Sequence, residues 1–251
     1  MLESLADLFA PGGALELLAL SPPGWGGSLL IGLLRSLQVA AGAYAVAILI
    51  GVVGAFGKLY GGSLARDLLQ TYTTIVRAVP ELVLILLLYY AVPQAINNLL
   101  LASGYERIDL PPLLVGILVL GLVIGAYMME VLRGAIQSVP YGQIEAAKAF
   151  GMSPLRVARS VTLPQMMANA IPGMSNLWLI ATKDTALLAV IGFGELTLTT
   201  KQAGGSTKEH FMFFAAAGLL YLIISIVSGR FFARLERWAR KGSAPVKGTG
   251  I

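Results

Sequence analysis

Apolar positions run along this chain in long unbroken blocks, and polar positions gather between them. Residues 36–57, 82–104, 111–129 and 211–229 carry no charge, each close to the roughly 20 residues that a helix needs to cross a hydrocarbon core about 30 Å thick. A fifth stretch, 166–194, is long enough but interrupted by Lys183 and Asp184. It reads as a spanning helix with a polar intrusion. The pattern therefore predicts an all-α membrane protein with five transmembrane helices, at 28–57, 72–98, 111–135, 166–192 and 210–233. An external segment (1–27), a loop between the third and fourth spans (138–165) and a tail (234–251) complete a single membrane domain, 1–251.

Composition agrees with the pattern. The chain is 57% hydrophobic and 12% charged, against about 25% charged in soluble domains, and its mean hydropathy is +0.78. The absence of cysteine excludes disulfides and thiolate metal sites, and the single histidine, His210, cannot build a histidine cluster. The start of the chain has no basic run ahead of the first span, so a cleaved signal peptide is not expected. With the N-terminus outside, thirteen of the 18 Lys and Arg fall inside and only Arg107, Lys201 and Lys208 outside. That bias predicts N-out, C-in. The net charge of +5 thus belongs to inside loops and a lipid-facing basic tail. No nucleic-acid partner is implied.

The inside loop is built as more than a linker. Residues 144–150 are good helix formers ended by Gly151, and Ser153-Pro154 then supplies a helix-start signal. The result is helix, turn, helix. Ala146, Ala147 and Ala149 give the first helix small side chains over which another protein can pack, beside Glu145 and Lys148.

Glu145-Ala146-Ala147, Gly151 four residues on, and Val161-Thr162-Leu163-Pro164 after nine more together resemble the EAA motif of ABC-importer permease subunits. Ala126-Tyr127 through Glu130 to Arg133-Gly134, Val139-Pro140-Tyr141-Gly142-Gln143 and Lys183-Asp184-Thr185-Ala186-Leu187 are similar to the polar amino-acid group of that family. Gly57-Lys58-Leu59 and the Tyr72 to Arg77 run resemble its histidine, basic amino-acid or opine branch, the Q-type subunit.

The resemblance implies a type I importer permease of the bacterial inner membrane. Glu145, Ala146, Ala147 and Gly151 inherit the part of the coupling helix, which fits a cleft in a cytoplasmic ATPase. The implied partners are two ATPase subunits, an external solute-binding protein, and a second permease subunit, either an M-type homologue or a second copy. The implied cargo is a polar amino acid of the basic or opine-like class, with glutamine or glutamate as the alternative. No Gly-x-x-x-x-Gly-Lys-Ser/Thr occurs in the chain, so ATP and Mg belong to the partner and this subunit binds no cofactor of its own.

Charges within hydrocarbon cost about 2.5 to 3.5 kcal/mol on insertion scales, so each intramembrane charge is a functional candidate. Glu81 follows Pro80, which removes a backbone donor and is expected to kink the second span. Its carboxylate is suited to a cationic substrate, or else to an i, i+4 pair with Arg77. Glu130 and Arg133, three apart, are gate or interface candidates for which a mutual ion pair is the simpler account, and Lys183 and Asp184 suggest either a gate or interface latch or a local pair. By resemblance Met174, Asn176, Leu177 and Trp178 line the pathway, although helix packing accounts for the same face. A membrane enzyme finds no nucleophile-base pair or metal cluster in this sequence. A channel has no use for a docking loop.

Overall fold

The computed structural model describes residues 15–241, and every regular element among them is helical. Residues 1–14 of the expected external segment and 242–251 of the expected tail lie outside the described residues. The helices are α1 (Gly26–Tyr60), α2 (Ser63–Ala78), α3 (Glu81–Ala102), α4 (Pro112–Gln137), α5 (Tyr141–Ala149), α6 (Pro154–Val157), α7 (Leu163–Asp184), α8 (Leu196–Thr207) and α9 (His210–Ala239). A π-helical turn, Ala158–Thr162, joins α6 to α7, and a 3-10 segment, Thr185–Ile191, continues α7. Five units are long and apolar enough to cross a membrane: α1, α3, α4, Pro154–Ile191 and α9.

The core is the pairing of α1 with α4. Ala40, Ala43, Ala47, Gly51 and Gly54 recur every three or four residues on α1 and are buried, so this face has little side chain to hold the backbones apart. The fit is reciprocal. A Cβ at Gly51 would lie 2.5 Å from Met128 Cγ, and one at Gly121 would lie 2.6 Å from Val46 Cγ1. Each helix therefore offers glycine hollows to the other's bulk. Because lipid tails are as apolar as the side chains, close packing rather than hydrophobic exclusion drives such contacts in a membrane.

At the second span the structure differs from a helix kinked at Pro80. Residues 63–102 form two helices, α2 and α3, separated at Val79 and Pro80. Proline disfavours helical backbone in the residue before it, and Val79 is extended (φ −95°, ψ 138°). Arg66, Asp67, Gln70, Thr71, Thr74 and Arg77 give α2 a polar side. Its other side packs Val76 against Val123 and Ala126 of α4, and Tyr72 Oη donates to the Leu122 carbonyl.

On the other flank α9 buries only Phe213 and Ala217. Phe211, Leu219, Ile223 and Val227 stay exposed along it, as expected of a helix whose outer face meets lipid. Between α7 and α9, Glu195 is fully buried, 0% exposed, at the start of α8. Its carboxylate accepts from Leu198 N (2.9 Å), Ser36 Oγ (3.1 Å) and Tyr221 Oη (3.3 Å). One side chain thus ties α8 to α1 and α9.

Candidate coupling loop and intramembrane carboxylate site

The loop between α4 and α7 is a helical hairpin set by local signals. Pro140 starts α5, and Gly151 ends it with φ +73°, a backbone region that side chains other than glycine's rarely adopt. Met152 N donates to Ala147 O (3.1 Å) and Gly151 N to Lys148 O (2.9 Å), the double bond pattern of a Schellman stop. Two amides of α7 hold the hairpin from behind. Gln165 Nε2 donates to Gln143 Oε1, and Asn169 Nδ2 to Ser138 Oγ (2.8 Å).

Glu145 and Ala146 are exposed on α5, as is Lys148, and neither charge enters an ion pair among the described residues. Ala147 turns inward and is buried. The open face also carries Tyr141, Phe150 (87% exposed) and Leu155. These apolar positions went unremarked in the sequence because periodicity within a nine-residue helix does not say which face is free.

Inside the bundle, Glu81 occupies the first position of α3, where the helix dipole favours an anion. Its carboxyl faces Asp184, at the end of α7, and the Tyr127 hydroxyl of α4, near enough for the three to feel one another electrostatically. Three elements thus converge on one polar point. Two carboxylates that face one another repel, and a cation between them relieves the repulsion. Arg77 forms no ion pair with Glu81, and exposed Lys183 none with half-buried Asp184. Tyr127 was quoted in the sequence only within a motif. Its spacing from Glu81 and Asp184 along the chain carries no signal that the three meet.

Glu130 does pair with Arg133, Nη2 to Oε2 at 2.7 Å. It also binds Lys58, Nζ to Oε1 at 2.6 Å. Lys58, counted in the sequence as an inside-loop cation, is 6% exposed and also donates to Thr73 Oγ1 (2.6 Å) and Gln70 Oε1 (2.9 Å).

The face expected from Met174, Asn176, Leu177 and Trp178 divides. Leu177 is buried in the main core, and Asn176 is exposed. Trp178 turns toward α9, donating from Nε1 to Ser228 Oγ (2.9 Å) and meeting Tyr44 edge-on at 5.3 Å. Tyr44 Oη in turn donates to the Met174 carbonyl at 2.9 Å.

Residues 47–241 match the family model described as the binding-protein-dependent transport system inner membrane component. The chain belongs to that family. Among its relatives, the histidine/lysine/arginine/ornithine transport system permease protein HisQ of Escherichia coli (strain K12) is 41% identical over 214 residues, covering 85% of this chain and 94% of that one. The nopaline transport system permease protein NocQ of Agrobacterium fabrum is 40% identical over 232 residues, covering 91% of this chain and 98% of that protein. Among solved structures, an amino acid ABC transporter crystallised with histidines aligns with a TM-score of 0.72 and 26% identity, covering 85% of this chain and 94% of that one. The MetNI methionine ABC transporter in an inward-facing form gives a TM-score of 0.70 at 18% identity, covering 87% of this chain and 99% of that chain, a likeness of fold. This permease is accordingly an inner-membrane component of the type I importer fold, as the EAA-type resemblance implied.

Proposed function

We propose that this permease is the membrane-spanning half of an ATP-driven importer for basic amino acids or opines, and that Glu81, Asp184 and Tyr127 together receive the cargo's cationic group. The observation that carries the reading is the approach of Glu81 to Asp184 across α3 and α7, with the Tyr127 hydroxyl beside them. Two carboxylates facing one point would repel an acidic side chain and gain charge-assisted hydrogen bonds from an ammonium or guanidinium. The names of the relatives, a histidine, lysine, arginine and ornithine system and a nopaline system, support the same class of cargo.

In this reading the chain performs no catalysis and holds no cofactor. ATP and Mg act on two cytoplasmic ATPase subunits, a solute-binding protein delivers cargo from outside, and a second permease, of M type or identical, closes the pathway by approximate two-fold symmetry. The N-terminus is outside and the C-terminus inside. The exposed face of α5, with Glu145 and Ala146 and the Gly151 stop, is the handle by which ATPase closure biases a two-state bundle. Lys183, next to Asp184, lies on the cargo's route. Glu130 and Arg133, joined by their ion pair, act as an inner latch. Met174 and Asn176 contribute to the wall, with Leu177 packed in the core behind it and Trp178 held between Tyr44 and Ser228.

The test is uptake of labelled arginine into proteoliposomes holding the full complex. Glu81→Gln and Asp184→Asn should each slow uptake at least about tenfold, the effect of losing one charge-assisted contact, while folding is retained. Unchanged arginine uptake by both variants would remove the carboxylates from the pathway.

A further inference from the structure

Behind the α5 hairpin lies a cavity of about 570 Å³ that none of the roles above uses. Its floor and walls are apolar, formed by Ile136, Ile144, Val157 and Met166, and its lips are Phe56 (51% exposed), Tyr60 (71%) and Leu163 (48%). Two cations, Lys148 and Arg159, line the same opening, and no acidic residue does. Both are exposed, and neither is engaged in an ion pair among the described residues. The cavity sits at the ends of Gly26–Tyr60 and Pro112–Gln137, beside the start of the Pro154–Ile191 span. The ends of spanning helices lie toward the headgroup region of a bilayer.

We infer that this cavity is a binding site for one anionic phospholipid of the cytoplasmic leaflet, its phosphate held between Lys148 and Arg159 and its upper acyl chain lying against Phe56, Ile136 and Met166. The charge pattern selects the occupant. A zwitterionic lipid would satisfy the apolar wall but bring no net negative charge to two unpaired cations, whereas basic pockets beside spanning helices on the cytoplasmic side suit anionic headgroups. The backbone supports the assignment independently, because the wall carrying Arg159 and Thr162 is the π-helical turn Ala158–Thr162. Such turns give up regular helical hydrogen bonding and gather at functional sites. A lipid here would brace α5 along its Ile144 and Lys148 side, adjacent to the face that carries Glu145. The inference takes only the side of the membrane from the proposed function.

The experiment uses the assembled transporter in nanodiscs of equal phosphatidylcholine and phosphatidylglycerol. Lipids retained after gentle detergent extraction are counted by native mass spectrometry. Wild type and Arg159→Lys should retain phosphatidylglycerol preferentially, and Arg159→Gln should lower that preference about fivefold, the effect of one cation near a membrane surface. Because the chain has no cysteine, Thr162→Cys carries one photo-crosslinker on this chain, into the cavity, and adducts of this chain with phosphatidylglycerol are expected. Equal retention of the two lipids, an unchanged preference in Arg159→Gln, or crosslinks to protein alone would overturn the site. Arginine uptake in the same preparation separates the two readings: a wild-type complex that holds lipid but carries no basic amino acid sinks the proposed function and leaves the lipid site standing.

Discussion

Lys58 Nζ lies 2.6 Å from Glu130 Oε1, joining the end of α1 to α4 where both side chains leave solvent. The lysine is almost wholly enclosed, so its charge is affordable only because Glu130, Thr73 and Gln70 surround it with acceptors. Removing the lysine leaves Arg133 as the remaining cation on Glu130. Removing the carboxylate strands the lysine.

Glu130→Ala should therefore be the more damaging change, costing about 3 kcal/mol as an uncompensated buried charge. Lys58→Met should cost less, and the double variant less than the sum of the two. Thermal unfolding of the purified permease in one detergent checks the order. Additive losses would mean that the two side chains do not act as a unit.

Much of this architecture was legible in the sequence because its signals are local. Five apolar blocks gave five spanning units, and the Gly151 stop and Ser153-Pro154 start gave the hairpin. What escaped is tertiary. Lys58 and Glu130 are 72 positions apart, and nothing in the charge count separates a buried lysine from a loop cation. Pro80 was visible, but not that the chain would end one helix and begin another there, because that outcome depends on the partners α4 offers to Tyr72 and Val76. Glu81 faces Asp184 and not Arg77 for the same reason: the break at Val79 and Pro80 puts Arg77 and Glu81 in different helices, so their i, i+4 spacing no longer makes them neighbours.

The glycine hollows between α1 and α4 make a graded prediction. A methyl at Gly51 meets Met128 Cγ at 2.5 Å and the Met128 backbone carbon at 3.1 Å, whereas the three atoms nearest one at Gly54 all belong to the Met129 side chain, chiefly its flexible far end. Gly51→Ala should thus destabilise by about 1–3 kcal/mol, the usual cost of overpacking, and Gly54→Ala by less. Trimming Met129 to Ala should rescue Gly54→Ala. Equal losses at both positions in thermal unfolding would contradict this packing.

Gly151 holds a positive φ with open space where a Cβ would point, so any cost of replacing it comes from the backbone alone. Gly151→Val should weaken the α5 stop by about 1–2 kcal/mol, the cost of left-handed backbone for an L residue. Gly151→Asn should be milder. Limited proteolysis of the hairpin, measured against unfolding of the whole chain, reports the difference, and equal cleavage of both variants and wild type would show that the stop does not depend on this glycine.

Glu145 gives the sharpest test of the proposed handle. It is exposed, unpaired among the described residues, and on the face of α5 that also presents Ala146, while Ala147 faces the bundle. Reversing its charge should leave the fold intact, since surface substitutions of this kind usually stay within about 0.5 kcal/mol. Should α5 sit in an ATPase cleft, Glu145→Arg buries a wrong-sign, larger side chain there and lowers cargo-stimulated ATP hydrolysis at least about tenfold, as truncating or clashing with a central interface residue does. Ala147→Leu separates the alternatives, because a residue packed inward should lower the unfolding temperature as well as coupling. A Glu145→Arg complex that hydrolyses ATP normally in response to cargo would mean that the ATPase grips this permease elsewhere.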